Sequence, residues 1–393
     1  MTIDDLRPAE FPLTTYQRDI WVATALHPDS TGYNVADHQR FEGVVDLERL
    51  LRCVRDAFGA DDAWRLRFGE RAGVPYQWLS DEPPPVSVVD LGGQDPAEWI
   101  EAALRRPGPP VRAVVLVVSP SVTHLCVFMW HIVADGWSGA LLSEWIWRAY
   151  QGAAPAPVQP FSAYVQQERA YRASPAWETD REYFRAALDG VEPTLFGRRA
   201  GARSERHAVT LDHAIADAIR DRGHNLYAYL LAAFAIVLSR LHNSGEVVLG
   251  VPLLNRRGAQ KRIIGQFANT LPLRVGIPDR ERSLDEFVAD VGTALFGLRR
   301  HSRLALGDVP RDPAGQLFDV TVSYLPTAPA ETAGGVTRTR RPWAGHHPTD
   351  AINVYIWDRG RGADLEIDLC SARDVQPVLE FFEQLRTVIG SAC

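Results

Sequence analysis

The chain has 393 residues, 46% hydrophobic and 23% charged, with a formal net charge of −7. This is ordinary globular composition, and the length favours two domains or lobes over one. No long basic run interleaves with aromatics, which excludes nucleic acid as the expected partner, and no segment reaches roughly 18 uninterrupted apolar residues, so no membrane span is expected. The N-terminal stretch MTIDDLRPAEF is acidic and has no apolar core, so it does not read as a signal peptide, and a cytoplasmic location is expected. Cys53, Cys126, Cys370 and Cys393 are far apart and form no CxxC pair, which argues against a disulfide framework or structural zinc. Lys261 is the only lysine among 42 basic residues, which we read as a coding bias.

In chain order, LTTYQRDIWVATAL (13–26) and VDLERLLRCVRDAF (45–58) carry helical apolar spacing. PVRAVVLVVS (110–119) and THLCVFMW (123–130) are nearly continuous apolar runs of strand length, so they predict strands covered on both faces. GALLSEWIWRAYQG (139–152) is a helix closed by Gly152, and the Pro/Ala-rich GAAPAPVQPF (152–161) is a connector. The alternation then restarts. AWETDREYFRAALDG predicts a helix, RHAVTLD a strand, 225–242 a strongly apolar helix and 246–252 a buried strand. Strands are expected at 316–326, 352–358 and 363–370, and a final amphipathic helix at 378–390. Between them, 326–347 shows no periodicity and is read as a long mobile or functional loop, with Arg338, Arg340 and Arg341 as a solvated charge cluster. The same kind of α/β lobe is made twice.

One short stretch, WHIVADG (130–136), stands out. His131 ends an apolar strand, and Asp135 follows four residues later. Two readings compete: a hydrogen-bonded core histidine, and a catalytic base held by a structural turn. A metal pair is disfavoured, because two ligands are too few and no third is identifiable. GWSGA (136–140) is one glycine short of a nucleophile elbow, and it is His131, not Ser138, that stands at the strand's end. LGGQDP (91–96) lacks the serine of a carrier-protein loop and reads as a turn, and His346, His347 and Asp350 read as a surface loop.

WHIVADG resembles the HHxxxDG motif of the condensation domains of nonribosomal peptide synthetases, a branch of the CoA- and carrier-dependent acyltransferases. Supporting segments run in family order: LTTYQRDIW (13–21), AWRLRF (63–68), GVPYQWL (73–79), FSAYVQQERAY (161–171), LGVPLLNRR (249–257), IIGQFANTLPLRV (263–275) and LFDVTVSYLP (317–326). The resemblance implies an α/β fold of two chloramphenicol-acetyltransferase-like lobes in a V-shaped pseudo-dimer with a central tunnel. We place the lobes at 1–170 and 171–393. In the family, thioester donor and nucleophilic acceptor enter from opposite faces, usually tethered to carrier proteins by phosphopantetheine.

On this resemblance His131 is the catalytic histidine, and Asp135 is mostly structural, paired with an arginine. Arg274 and Arg65 are both candidates, and the sequence does not choose between them. Gly136 N–H and Ser323 are candidate oxyanion donors, and Trp130, Ser138, Ser323 and Tyr324 are expected near substrate. No metal and no resident cofactor are expected, since phosphopantetheine arrives with the carrier. The expected partners are peptidyl or aminoacyl carrier proteins and a carrier-bound or small-molecule acceptor, acting on a monomer. Met1 and the span of the motifs favour a free-standing condensation enzyme that joins an acyl or aminoacyl thioester to an amine or hydroxyl. One departure stands: the family's first histidine is Trp130 here. It keeps open a condensation-like platform that recruits another enzyme to a carrier protein, beside an epimerase or an unrelated hydrolase.

Overall fold

Short polar side chains start most of the helices. Thr14 and Gln17 form a reciprocal capping box, as do Ser283 and Glu286, and Asp46, Asp95, Asp135, Asp212 and Asn225 each accept a first-turn N–H. In a computed structural model the described residues are 10–28, 30–153, 160–191, 195–196, 205–278, 282–311, 316–344, 350–362, 364–371, 376 and 378–380. The chain divides into two units. One comprises Met1–Ser174, Arg256–Ala268 and Pro329–Gly345; the other comprises Pro175–Asn255, Asn269–Ala328 and His346–Cys393. The contiguous division expected at 170/171 is thereby corrected, because two segments from the second half of the chain complete the first unit.

The first unit contains β1 (Glu10–Pro12), α1 (Thr15–Leu26), β2 (Asn34–Glu42), α2 (Leu47–Ala60), β3 (Leu66–Arg71), β4 (Val74–Leu79), β5 (Val86–Asp90), α3 (Pro96–Leu104), β6 (Val111–Ser119), β7 (Val122–Trp130), α4 (Gly136–Tyr150) and α5 (Phe161–Arg172). The second contains α6 (Pro175–Ala187), β8 (Glu205–Leu211), α7 (His213–Asp221), α8 (Leu226–His242), β9 (Glu246–Leu253), β10 (Asn269–Gly276), α9 (Leu284–Arg300) and β11 (Val320–Pro326). The chain then returns to the first unit for β12 (Glu331–Ala333), β13 (Val336–Arg340) and β14 (Trp343–Ala344), and ends in the second with β15 (Ile352–Asp358) and β16 (Leu365–Ser371). The helix expected at 378–390 lies mostly outside the described residues.

In the first unit a sheet runs β12-β13-β2-β7-β6-β5, with β14 also on β2, and a small sheet runs β1-β4-β3. β7 is central, paired antiparallel with β2 and β6, and Leu125, Cys126 and Val127 within it are fully buried. Both faces are covered. Phe128, Cys126 and Ala36 pack with Ile100 and Leu104 of α3, while on the other face the Phe41 ring lies 6.0 Å from Trp147 of α4. This is why β6 and β7 read as unbroken apolar runs.

The second unit is built on the order β10-β9-β11-β15-β16-β8, with β11 parallel to both β9 and β15. Its core is filled by α8, where Leu231, Ala232, Ala235 and Leu238 are fully buried and belong to one apolar cluster with Val248, Leu249 and Val251 of β9. Among the described residues no single helix is long and apolar enough to cross a membrane; α7 and α8 reach that apolarity only together, across a 107° bend.

The segment 326–347 departs most from its sequence reading. It contains the hairpin β12–β13, with Gly334 and Gly335 both at positive φ in the two-residue turn, and β13 pairs antiparallel with β2. Gly43, just past β2, has φ +117°, and a Cβ there would collide with Gly335 O. Arg338 and Arg340 are not solvated. Arg338 is 4% exposed, donates to Ser143 O at 2.8 Å and to Glu331 Oε1 at 2.9 Å, and lies over the Trp147 ring. Arg340 Nε donates to the buried Asp37 Oδ2 at 2.7 Å.

Candidate active site

The central strand β7 ends at Trp130, and the chain turns at once, with Val133 N–H bonded to Trp130 O at 2.9 Å. His131 follows the last strand residue, and its backbone N–H donates to Tyr33 O at 2.7 Å. Its ring is half-buried, with Nδ1 lying 3.1 Å from Oε1 of Gln266, a side chain in a residue only 3% exposed. The turn is also held from the side of α1. Gln17 Nε2 donates to Ile132 O at 3.1 Å, and Gln17 and Gln77 exchange amide hydrogen bonds of 2.9 and 2.8 Å.

Asp135 is the N-cap of α4, fully enclosed, and every part of its carboxylate is engaged. Oδ1 accepts the Ser138 N–H at 2.9 Å. Oδ2 pairs with the Arg256 guanidinium and accepts the N–H groups of Phe267 and Ala268, each at 3.1 Å. Arg256 also donates to Ser138 Oγ at 2.8 Å and to Gly265 O at 3.0 Å, and its guanidinium lies 4.1 Å from the centre of the Phe267 ring. Ser138 Oγ in turn donates to Gly265 O at 2.8 Å. Gly265 is required here: a Cβ would stand inside the van der Waals envelope of the Phe161 ring. Burial alone would raise the Asp135 pKa. The Arg256 charge and hydrogen bond, with the Ser138 and Phe267 N–H groups, outweigh it and hold the carboxyl below its usual range.

The arrangement is thus one half-buried imidazole beside a buried ion-pair network in which the carboxylate is fully engaged, while Arg256 Nε has no hydrogen-bond partner among the described residues. Gly136 opens α4, so its N–H is one of the first-turn donors with no acceptor inside the helix, and open space lies where its side chain would be.

Residues 8–339 match the family model for the condensation domain. The chain belongs to the condensation-domain family. Condensation domains are acyltransferases of nonribosomal peptide synthesis. The chain is 24% identical over 396 residues to a dimodular nonribosomal peptide synthase of Bacillus subtilis (strain 168), covering 93% of this chain and 17% of that protein. It is 29% identical over 421 residues to a plipastatin synthase of the same organism, covering 97% and 16%. The condensation domain therefore spans about a sixth of the length of these two curated relatives. In fold it is similar to a variant of the starter condensation domain of rhizomide synthetase RzmA in complex with C8-CoA, at TM-score 0.87 and 22% identity over 97% of this chain and 95% of that one.

Several sequence-level assignments in this condensation domain need correction. The arginine paired with Asp135 is Arg256, not Arg274 or Arg65. Arg274 is committed to Glu246, 2.7 Å away across β9–β10, and Arg65 donates to Ser80 O at 3.3 Å. Ser138 is fully buried and spent on Gly265 and Arg256, so it is neither a nucleophile nor a substrate contact. Ser323 lies on β11 of the second unit, only 6% exposed. Tyr324 beside it donates its hydroxyl to Asp358 and stacks on Tyr227 at 5.2 Å.

Trp130 is half-buried, with its ring centre 5.9 Å from Trp21 and 5.3 Å from Phe68, so it packs in an aromatic cluster between β7, α1 and β3. LGGQDP is a turn leading to the Asp95 N-cap of α3. His346 and His347 lie outside the described residues, and Asp350 is buried, accepting from Thr321 and Asn353.

The residues that sequence reasoning missed are Arg256, Gln266, Gln17 and Gln77. All four lie inside segments that resemble the family, but nothing in their spacing says which atoms they meet.

Proposed function

We propose that this condensation domain transfers an acyl or aminoacyl group from a thioester to an amine or hydroxyl, with His131 as the general base. The observation that supports this most is the division of labour in the motif. The Asp135 carboxylate is consumed by Arg256, Ser138, Phe267 and Ala268, which leaves His131 as the motif's one titratable side chain free to move a proton.

The chemistry needs no covalent enzyme intermediate, because a thioester is already activated. The acceptor nitrogen or oxygen bonds to the thioester carbonyl carbon while the imidazole takes its proton. The tetrahedral oxyanion forms, and the Gly136 N–H is our candidate donor to it. The C–S bond then breaks, and the proton passes from the imidazolium to the departing thiolate. The acyl group is expected to arrive on the phosphopantetheine of a carrier protein, which supplies the thiol. Tethering provides proximity, and a positioned imidazole adds roughly 10²–10⁴-fold. The reading holds equally for a separate polypeptide and for a segment of a longer synthetase.

The test is turnover of a loaded carrier thioester with candidate amines, weighed by mass spectrometry. His131→Ala should fall by roughly 10²–10⁴-fold with an unchanged melting temperature. Undiminished product from that variant would remove His131 from the mechanism. Trp130, which stands where the family has histidine, supports one rival: a silent wild type with an active Trp130→His variant would mark a recruiting platform instead.

A further inference from the structure

We infer that Gln266 is a positioning residue that locks His131 in the Nδ1–H tautomer, leaving the Nε2 lone pair as the base. The inference rests on the assignment of His131 as the general base. It starts from the orientation of one amide. Gln266 Nε2 donates to Ala268 O at 2.9 Å, so the oxygen of the same amide is the atom turned toward the imidazole. Rotating the amide by half a turn would set its oxygen against the Ala268 carbonyl oxygen, two acceptors face to face.

An amide oxygen can only accept. The ring atom 3.1 Å from it, Nδ1, must therefore carry the hydrogen. In a neutral imidazole the other nitrogen then has none. Gln266 is only 3% exposed, which limits the access of bulk water to this amide.

What fixes Gln266 is the network around Asp135. The two residues after it, Phe267 and Ala268, give their N–H groups to Asp135 Oδ2, and the residue before it, Gly265, accepts from Asp135 N–H at 3.3 Å, from Ser138 Oγ and from Arg256. The amide is thus clamped on both sides in sequence. Asp135 acts on the histidine through this segment rather than by touching the ring.

The experiment uses the full chain labelled with 15N-histidine. Two-bond 1H–15N correlations report the tautomer of each of the 11 histidines, and the His131 signal is the one lost in His131→Ala. Wild type should show a neutral ring protonated at Nδ1 at pH 8. Gln266→Leu should shift the ring toward the Nε2–H form with little change in melting temperature. Its kcat should drop by roughly 10–100-fold, the usual loss on removing an outer partner that orients a histidine. Gln266→Glu should restore the tautomer and move the acid limb of the kcat/KM profile to higher pH, because a carboxylate there favours the imidazolium.

A wild-type ring protonated at Nε2, or a Gln266→Leu ring that keeps the wild-type tautomer, overturns the inference. Should Gln266→Leu misfold, the wild-type spectrum and the Gln266→Glu profile still decide it. Full activity in His131→Ala, by contrast, would defeat the base assignment while leaving the tautomer readout intact.

Discussion

Two buried aspartates in the first unit each meet an arginine, yet they are perturbed in opposite directions. Asp37 is pushed above its usual range: burial dominates, the Arg340 charge offsets only part of it, and its Oδ1 finds no partner among the described residues. Asp135 is held low because the Arg256 charge and hydrogen bond, with the Ser138 and Phe267 N–H groups, outweigh its burial. A depressed folded-state pKa means that Asp135 contributes stability that is fully present above its unfolded value, about 3.9, and is lost as pH falls from there through the lower folded value. Removing one partner of such a pair leaves the other charge buried and alone. Arg256→Met should cost about 3–5 kcal/mol in urea unfolding at pH 7, and Asp135→Asn/Arg256→Met should recover part of it. A single variant as stable as wild type would mean that the turn does not depend on the ion pair. At this scale the sequence is legible only in part. His131 and Asp135 declare themselves by type and spacing, but the arginine is one of 41, and only the folded chain brings residue 256 to residue 135.

Elements were legible where hydrophobic period and length agreed. The expected helix 225–242 forms over Leu226–His242, and the strand expected at 246–252 over Glu246–Leu253. The strand β13 was not legible, because its inward-facing row is Val336, Arg338 and Arg340. Two of those three are charged, so a hydrophobic pattern cannot reveal the period of two; the inward arginines need Asp37, Glu331 and the α4 carbonyls, which lie far away in sequence or on another element. A similar concealment applies across β2 and β7, where His38 Nε2 and His124 Nδ1 meet at 3.0 Å inside the sheet. Burial, then the neighbouring His124 charge, pushes His38 down to about 3; burial, then Arg40, pushes His124 down to about 4. Both are neutral when folded and titrate near 6.5 when unfolded, so their contribution is present above pH 6.5 and is lost as pH falls toward 4. Unfolding free energies from pH 7.5 to 4.5 should fall by up to about 1.4 kcal/mol per pH unit for each of the two protons below pH 6.5. His38→Gln/His124→Gln should flatten that slope, and an identical slope would place the acid sensitivity elsewhere.

At the scale of the whole molecule, the chain passes between its two units five times. The family's motif order was readable, but the contiguous lobes expected from it were not what forms, since 256–268 and 329–345 complete the first unit. A fragment of residues 1–174 lacks Arg256 and Arg340, so it should bury two unpaired carboxylates and expose the edge of β2. Each loss is worth about 3–5 kcal/mol against a whole-domain stability of about 5–15 kcal/mol, so the fragment should show no cooperative melt and rapid proteolysis. A sharp transition close to that of the full chain would show that the late segments are dispensable. The same threading sets a clock on the ribosome. Asp37 must wait for a guanidinium 303 residues downstream and Asp135 for one 121 residues downstream. At about 5–20 residues per second, Asp37 spends about 15–60 s without Arg340, and the 1–174 segment, once made, about 8–33 s with a sheet edge open to strangers. Translation speed over the second half of the message, and chaperone cover during that interval, then bear on how much of the first half ever matures.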